Sequence, residues 1–183
     1  MTEIIIGAGA SGLACAIRLK QNMPNDEVIL LERLDTLGKK ILATGNGRCN
    51  LSNEHAKHYR EVINFFNNIG LKTKSDSEGR IYPYSNQAAT VRDMLEKECI
   101  RLGVQIITDC TVKSVDRDLI VSTDCGMFYA DSVIIAAGGM AQSSLGSNGS
   151  GYEILKNLGH RITPLSPALV QLVSSSKYPR QLK

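Results

Sequence analysis

Tryptophan is absent from the 183 residues, aromatics make up only 5% of them, and three histidines and five prolines complete a short supply of special side chains. The 21 basic and 18 acidic residues are intermixed and leave a formal charge of only +3. No basic tract interleaved with aromatics is present, which argues against nucleic acid as a partner. No apolar run approaches the roughly 20 residues of a membrane span, and Met1 leads into a strand without a basic leader. A cytoplasmic chain with no membrane partner is the expectation. The cysteines, Cys15, Cys49, Cys99, Cys110 and Cys125, are odd in number and include no CxxC pair. Most are therefore expected to be reduced and buried. His55, His58 and His160 lack the spacing of zinc ligands, so no metal is expected. No side chain stands out as a general acid or base, and the catalytic residues stay unassigned.

What is present is concentrated at the start. Ile4, Ile5 and Ile6 break into Gly7-Ala8-Gly9-Ala10-Ser11-Gly12, and Leu13, Ala14, Ala16, Ile17 and Leu19 resume at helical spacing. The pattern predicts strand, tight turn, helix. Such a turn aims the free N–H groups of a helix N-terminus at one point, where the dipole adds roughly 0.3 to 1 kcal/mol for an anion. Gly7 permits the turn, Gly9 lets the backbone approach a diphosphate, and Gly12 lets the helix lie close on the strand. A second apolar run, Val28 to Leu31, ends in Glu32, twenty residues beyond Gly12. An acid at that strand tip suits ribose hydroxyls. Together these predict dinucleotide binding, with NAD the ordinary candidate.

The length suits one domain burying on the order of 70% of its unfolded surface. A plain NAD-binding domain would continue quickly to a helix and a third strand. Here a glycine-punctuated segment from Arg33 to Asn53 intervenes, reading as a functional loop. Helices are predicted over about 55–69 and from Ala88 to Leu102, with a turn-rich stretch between them. Val104 to Ile107 is the delayed third strand. From Cys110 to Ala130 short β-type runs predict an inserted antiparallel meander. Ser132 to Ala137 is continuously apolar, as expected of a central parallel strand, and stops at Gly138-Gly139. A glycine- and serine-rich segment then leads into a helix ending at Leu158.

Three blocks resemble one known family: Gly7 to Leu13 with Glu32; Gly38-Lys39-Lys40 through Ala43-Thr44-Gly45-Asn46-Gly47-Arg48-Cys49-Asn50-Leu51-Ser52-Asn53; and Gly151-Tyr152 through Gly159-His160 to Pro164-Leu165-Ser166-Pro167-Ala168-Leu169-Val170. These are similar to bacterial FAD-dependent oxidoreductases of the aminoacetone-oxidase-like type, which include bile-acid-type steroid enone reductases, and the match is to their N-terminal portion. The resemblance implies an α/β fold, a Rossmann-like FAD-binding domain with a parallel sheet and an inserted antiparallel β-meander. That domain would span 1–163, with a loop and helical insertion at 33–103 and the meander at 110–130. Residues 164–183 would open a truncated second domain or form a tail.

By the same resemblance, Gly7, Gly9, Ala10, Ser11 and Gly12 hold the pyrophosphate, Glu32 stands at the adenosine ribose, and Arg33 next to it also belongs to the cofactor site. Lys40, Gly45, Asn46, Gly47, Arg48, Cys49 and Asn50 run along the diphosphate and flavin. Val112 offers backbone contacts to adenine, and Ala137 and Gly138 line the middle of the cofactor. The segment from Met140 to Ser150 lacks the proline and acid expected there. Cys49 has Glu54 rather than a cysteine five residues on, so it reads as a packed small residue and not half of a redox pair. The function implied is flavin-mediated hydride or electron transfer on a small-molecule substrate, with NAD(P)H a candidate donor. Two alternatives are a non-catalytic nucleotide-binding fragment and an NAD(P)-dependent dehydrogenase.

Overall fold

The computed structural model describes residues 1–167. In chain order, β1 (Thr2–Ile6) turns into α1 (Ala10–Asn22), and β2 (Glu27–Leu31) follows. Next come α2 (Lys39–Ala43), a tight turn over Thr44–Gly47 with Gly45 and Asn46 in the left-handed region, and β3 (Ser52–Asn53). α3 (Tyr59–Asn68), β4 (Thr73–Ser75), β5 (Arg80–Pro83) and α4 (Ala88–Arg101) lead to β6 (Gln105–Ile107). The meander is β7 (Val112–Val115), β8 (Ile120–Thr123) and β9 (Met127–Tyr129), after which come β10 (Ser132–Ile135) and α5 (Ser150–Asn157).

The main sheet is parallel with order β10-β1-β2-β6, and its register sets Ile4 beside Ile29 and Val133, and Ile6 beside Leu31 and Ile135. Alternation along β1 and β2 divides the core. Ile5 and Leu30 face α1 and α4, packing with Leu13, Ile17, Leu95 and Cys99. Ile4, Ile6, Ile29 and Leu31 face the opposite way, toward Val115 and Val121 of the meander and Ile154 of α5. Both faces are covered, so both parities of each strand must be apolar, which is why the strands read as unbroken Ile/Val/Leu runs. Each such side chain stabilises the fold by about 1.5 to 3 kcal/mol when fully buried. Because β1 and β2 stop at the same level, the turn before α1 and the tip of β2 meet at the carboxyl end of the sheet.

Four expectations change. The segment 33–53 has regular structure of its own in α2 and β3, and the turn-rich stretch before Ala88 contains β4 and β5. β3, β5 and β4 form a small antiparallel sheet inside the 33–103 insertion. Its strands are two to four residues long, too short for alternation to register in the sequence. β10 is an edge strand of the described sheet, not a central one, and Val133, Ile134 and Ile135 are half-buried. Its apolar run reflects cover on both faces, since Ile134 packs on the α1 side and Val133 and Ile135 on the meander side. Finally, Cys110 and Cys125 are joined as a disulfide with Cα atoms 5.8 Å apart. The pairing of Val112 with Thr123 brings them opposite each other, a proximity that linear spacing does not display. Cys15, Cys49 and Cys99 are free thiols. Of the expected second-domain start, 168–183 lies outside the described residues.

Candidate nucleotide-binding cleft

The three glycines of the opening turn are required for different reasons. Gly7 has φ +102°, and a Cβ there would stand 2.7 Å from the Ala136 carbonyl oxygen of the neighbouring strand end. A Cβ on Gly12 would stand 1.9 Å from the Gly7 carbonyl oxygen, so any side chain there would force α1 away from the turn. Gly9 has an ordinary φ of −79°, and nothing lies within 4 Å of its Cβ position. The protein itself therefore excludes larger residues at Gly7 and Gly12, whereas at Gly9 the space is open and faces the cleft. α1 has neither a side-chain cap nor an acid in its first turn, and its first internal bond runs from the Leu13 N–H to the Gly9 oxygen at 3.0 Å. Its leading amides thus look into the cleft without a protein partner of opposite charge, an arrangement that favours an anion.

The cleft has a volume of about 700 Å³ and passes in front of this helix terminus. At one end stands Glu32. One of its carboxylate oxygens accepts the Ala8 N–H at 2.8 Å and the other the Leu34 N–H at 2.9 Å. Its own carbonyl accepts the Cys110 N–H at 2.9 Å, bringing Cys110, Thr111 and Val112 to the wall beside it. Thr111 is fixed in turn by Asp124, whose carboxylate accepts the Thr111 N–H at 2.7 Å. That amide bond is the main reason the Asp124 carboxyl sits below the usual carboxylate range.

Arg33 and Lys40 both line the cleft, but their heads are engaged with the chain that follows β10. Arg33 Nη2 donates to the Gly146 oxygen at 3.0 Å. Lys40 Nζ donates to the Ala141 oxygen at 3.0 Å and to the buried Ser147 hydroxyl. The two cations thereby strap residues 141–147 across the cleft, a role that linear reading could not assign because it spans over a hundred residues of separation. Ala137 and Gly138 lie under this strap, and a Cβ on Gly138 would stand 3.1 Å from Ser147 Oγ.

The block from Gly45 to Asn50 divides. Cys49 and Asn50 line the cleft, whereas Gly45, Asn46, Gly47 and Arg48 shape the turn behind them. Arg48 lies 4.5 Å from the centroid of the Tyr82 ring and donates through Nε to the Gly45 oxygen at 3.3 Å, so its charge supports the loop. Cys49 is buried with φ +59°, an uncommon left-handed backbone for a residue with a side chain. Burial raises its thiol pKa, partly opposed by a hydrogen bond with Thr44, which disfavours the thiolate and suits a packed small residue. An apolar arm lined by Leu51, Phe65, Phe66, Val91 and Leu95 extends the cleft on this side. The helical spacing of Phe66 reads as ordinary core, yet Phe65 and Phe66 are only half-buried.

An uncapped helix terminus between a carboxylate-tipped end and an apolar arm fits a dinucleotide, with its diphosphate in the middle. Among the described residues one close group of potential metal ligands occurs, Cys110, Asp124 and Cys125, and its two sulfurs are bonded to each other.

Residues 1–60 and 56–174 match the family described as HI0933-like protein Rossmann domain. A 3-dehydro-bile acid delta(4,6)-reductase of Clostridium scindens is 43% identical over 92% of this chain and 46% of its own length. A ribosomal RNA dihydrouridine synthase of Haemophilus influenzae is 26% identical over 92% of this chain and 48% of its own. The chain thus spans about half the length of these curated relatives. Among solved structures, THI4 of Thermovibrio ammonificans superposes with a TM-score of 0.61 at 16% identity, covering 76% of this chain and 57% of that one, a likeness of fold alone. The chain belongs to the HI0933-like protein Rossmann-domain family.

Proposed function

We propose that this chain is the FAD-binding part of an oxidoreductase that acts on a small molecule, with NAD(P)H as electron donor. The observation that carries the reading is the open space at Gly9, in front of the uncapped α1 terminus, in a turn whose other two glycines are already fixed by the protein's own packing. The Ala10 and Ser11 amides hold the diphosphate there. Glu32 accepts a ribose hydroxyl with lone pairs left over from its two amide bonds, since a carboxylate has about four acceptor sites. Val112 supplies backbone contacts to adenine, and Cys49, Asn50, Ala137 and Gly138 line the path toward the apolar arm. FAD, when bound, supplies the hydride or electron chemistry. The chain's own residues bind it, orient it and shield it from water.

FAD is favoured over NAD because α2 and the turn after it replace the usual helix following β2, and the cleft runs on past Asn50 and Leu51 to the phenylalanines. A small-molecule substrate is favoured over RNA by the mixed-sign charge of the sequence and by the higher identity to the bile-acid reductase. The half-length coverage supports a second reading, in which these residues alone retain the nucleotide without turnover. A visible spectrum of the purified protein, with the cofactor released by heat and identified, separates the readings. A flavin band with released FAD is expected. A folded, colourless protein with weak FAD or ADP binding favours the second reading, and stoichiometric NAD without flavin overturns both.

A further inference from the structure

The geometry points to a reversible thiol–disulfide site at Cys110 and Cys125 that regulates nucleotide affinity at the adenine end of the cleft, an inference that rests on the dinucleotide reading above. Cys110 is buried and lines the cleft, next to Thr111 and Val112. Cys125 is exposed, on the turn between β8 and β9. The bridge between them spans a separation of 15 residues and ties the cleft wall to the outer hairpin. Two hydrogen bonds join the same two segments, from the Thr111 N–H to the Asp124 carboxylate at 2.7 Å and from the Asp124 N–H to the Thr111 oxygen at 3.1 Å. Thr123 Oγ1 accepts the Cys125 N–H at 3.1 Å and seats the exposed cysteine in its turn. The position of Val112 is therefore set from two sides, by Glu32 through the Cys110 amide and by the hairpin through the disulfide, the Thr111–Asp124 hydrogen bonds and the pairing of Val112 with Thr123.

Cys125 is the exposed cysteine of the five, while Cys49 and Cys99 are buried and Cys15 half-buried. The thiols of Cys15, Cys49 and Cys99 are all pushed up by burial, that of Cys99 to about 12, which disfavours their thiolates. The exposed Cys125 gives a reductant access. The co-reactant is a dithiol. Its thiolate attacks the Cys125 sulfur, forming a mixed disulfide and releasing the Cys110 thiolate. The second thiol of the reductant then attacks its own sulfur in that mixed disulfide and releases the Cys125 thiolate. Two electrons pass from the dithiol to the pair, the two protein thiolates take up the dithiol's two protons, and the reductant leaves as a cyclic disulfide. With the bridge open, the segment 110–112 keeps only hydrogen bonds to the hairpin, and the backbone that faces adenine is less fixed.

Linkage makes the effect reciprocal: whatever factor reduction takes from FAD affinity, bound FAD must add to the resistance of the pair to reduction. The experiment measures FAD affinity by fluorescence titration of the oxidised protein, the protein reduced with dithiothreitol, and the Cys110→Ser/Cys125→Ser double variant. Thiol counts verify each state. Expected is a loss of on the order of 5-fold or more on reduction, the low end of measured site-to-site couplings. The double variant should resemble the reduced protein and ignore dithiothreitol. The dithiothreitol concentration that half-reduces the oxidised protein should rise by the same factor when FAD is saturating. Equal affinity in verified oxidised and reduced states overturns the switch and leaves the dinucleotide reading standing. No FAD binding in either state overturns that reading, and the switch with it.

Discussion

The carboxylate of Glu32 accepts the Ala8 N–H at 2.8 Å, tying the tip of β2 to the turn that opens α1. Its second oxygen accepts the Leu34 N–H at 2.9 Å. The residue expected to accept ribose hydroxyls is therefore also a structural clasp. Hydrogen bonds to a charged acceptor contribute about 1.5 to 3 kcal/mol each. Glu32→Ala removes the acceptor of both amides, and urea denaturation without nucleotide should show a loss of at least about 1.5 kcal/mol. If the carboxylate served the ligand alone, the apo protein would be as stable as the parent.

Gly9 and Gly12 are predicted to fail in opposite ways. Gly9→Val adds a side chain into space where the protein has no atom within 4 Å, at a φ that valine tolerates. Thermal melting of the apo protein should barely change while flavin retention is lost. Gly12→Ala places a Cβ 1.9 Å from the Gly7 oxygen. That overpacking should cost about 1 to 3 kcal/mol or more in the apo protein, read as a lower melting temperature. Retained flavin in Gly9→Val would remove the turn from the cofactor site.

How much of this was legible in the sequence follows from the range of each interaction. The turn, Glu32, β2, the delayed β6 and the meander were readable because each is declared by residues within a few positions of one another. The hidden sheet of β3, β5 and β4 was not, because its strands are too short to show a period. The place of β10 at the edge was not either, since an apolar run reports covered faces and is silent on lateral neighbours. Arg33 and Lys40 were placed at the cleft by resemblance, but their partners lie 113 and 107 residues away, at Gly146 and Ser147. The cysteine pair was hidden in the same way, by a strand register that brings 110 and 125 together.

The strap held by those two cations makes a kinetic prediction. Lys40→Met leaves the buried Ser147 hydroxyl and the Ala141 carbonyl without their donor, and Arg33→Met does the same to Gly146. Of these groups the Ser147 hydroxyl is the buried one, and an unpartnered buried polar group costs about 1 to 3 kcal/mol. The double variant should expose residues 141–147 to limited proteolysis and release FAD faster than the parent. If its dissociation rate and cleavage pattern match the parent, the strap does not control access.

A pH dependence follows from Asp76, at the turn between β4 and β5. Its carboxylate pairs with Arg80 Nε at 2.8 Å and accepts the Glu78 and Arg80 amides at 3.0 and 2.9 Å. The Arg80 side chain is the largest cause holding this carboxyl below its ordinary value. Because the folded pKa is the lower one, the contribution to stability is fully present above the unfolded pKa of about 3.9. It fades as pH falls through the folded value. Asp76→Asn should therefore be less stable than the parent at pH 7, and the gap between their urea midpoints should close as the pH is taken below about 3.9. A gap that stays constant from neutral to acid pH would mean that packing of the turn, and not the carboxylate charge, holds β4 and β5 together.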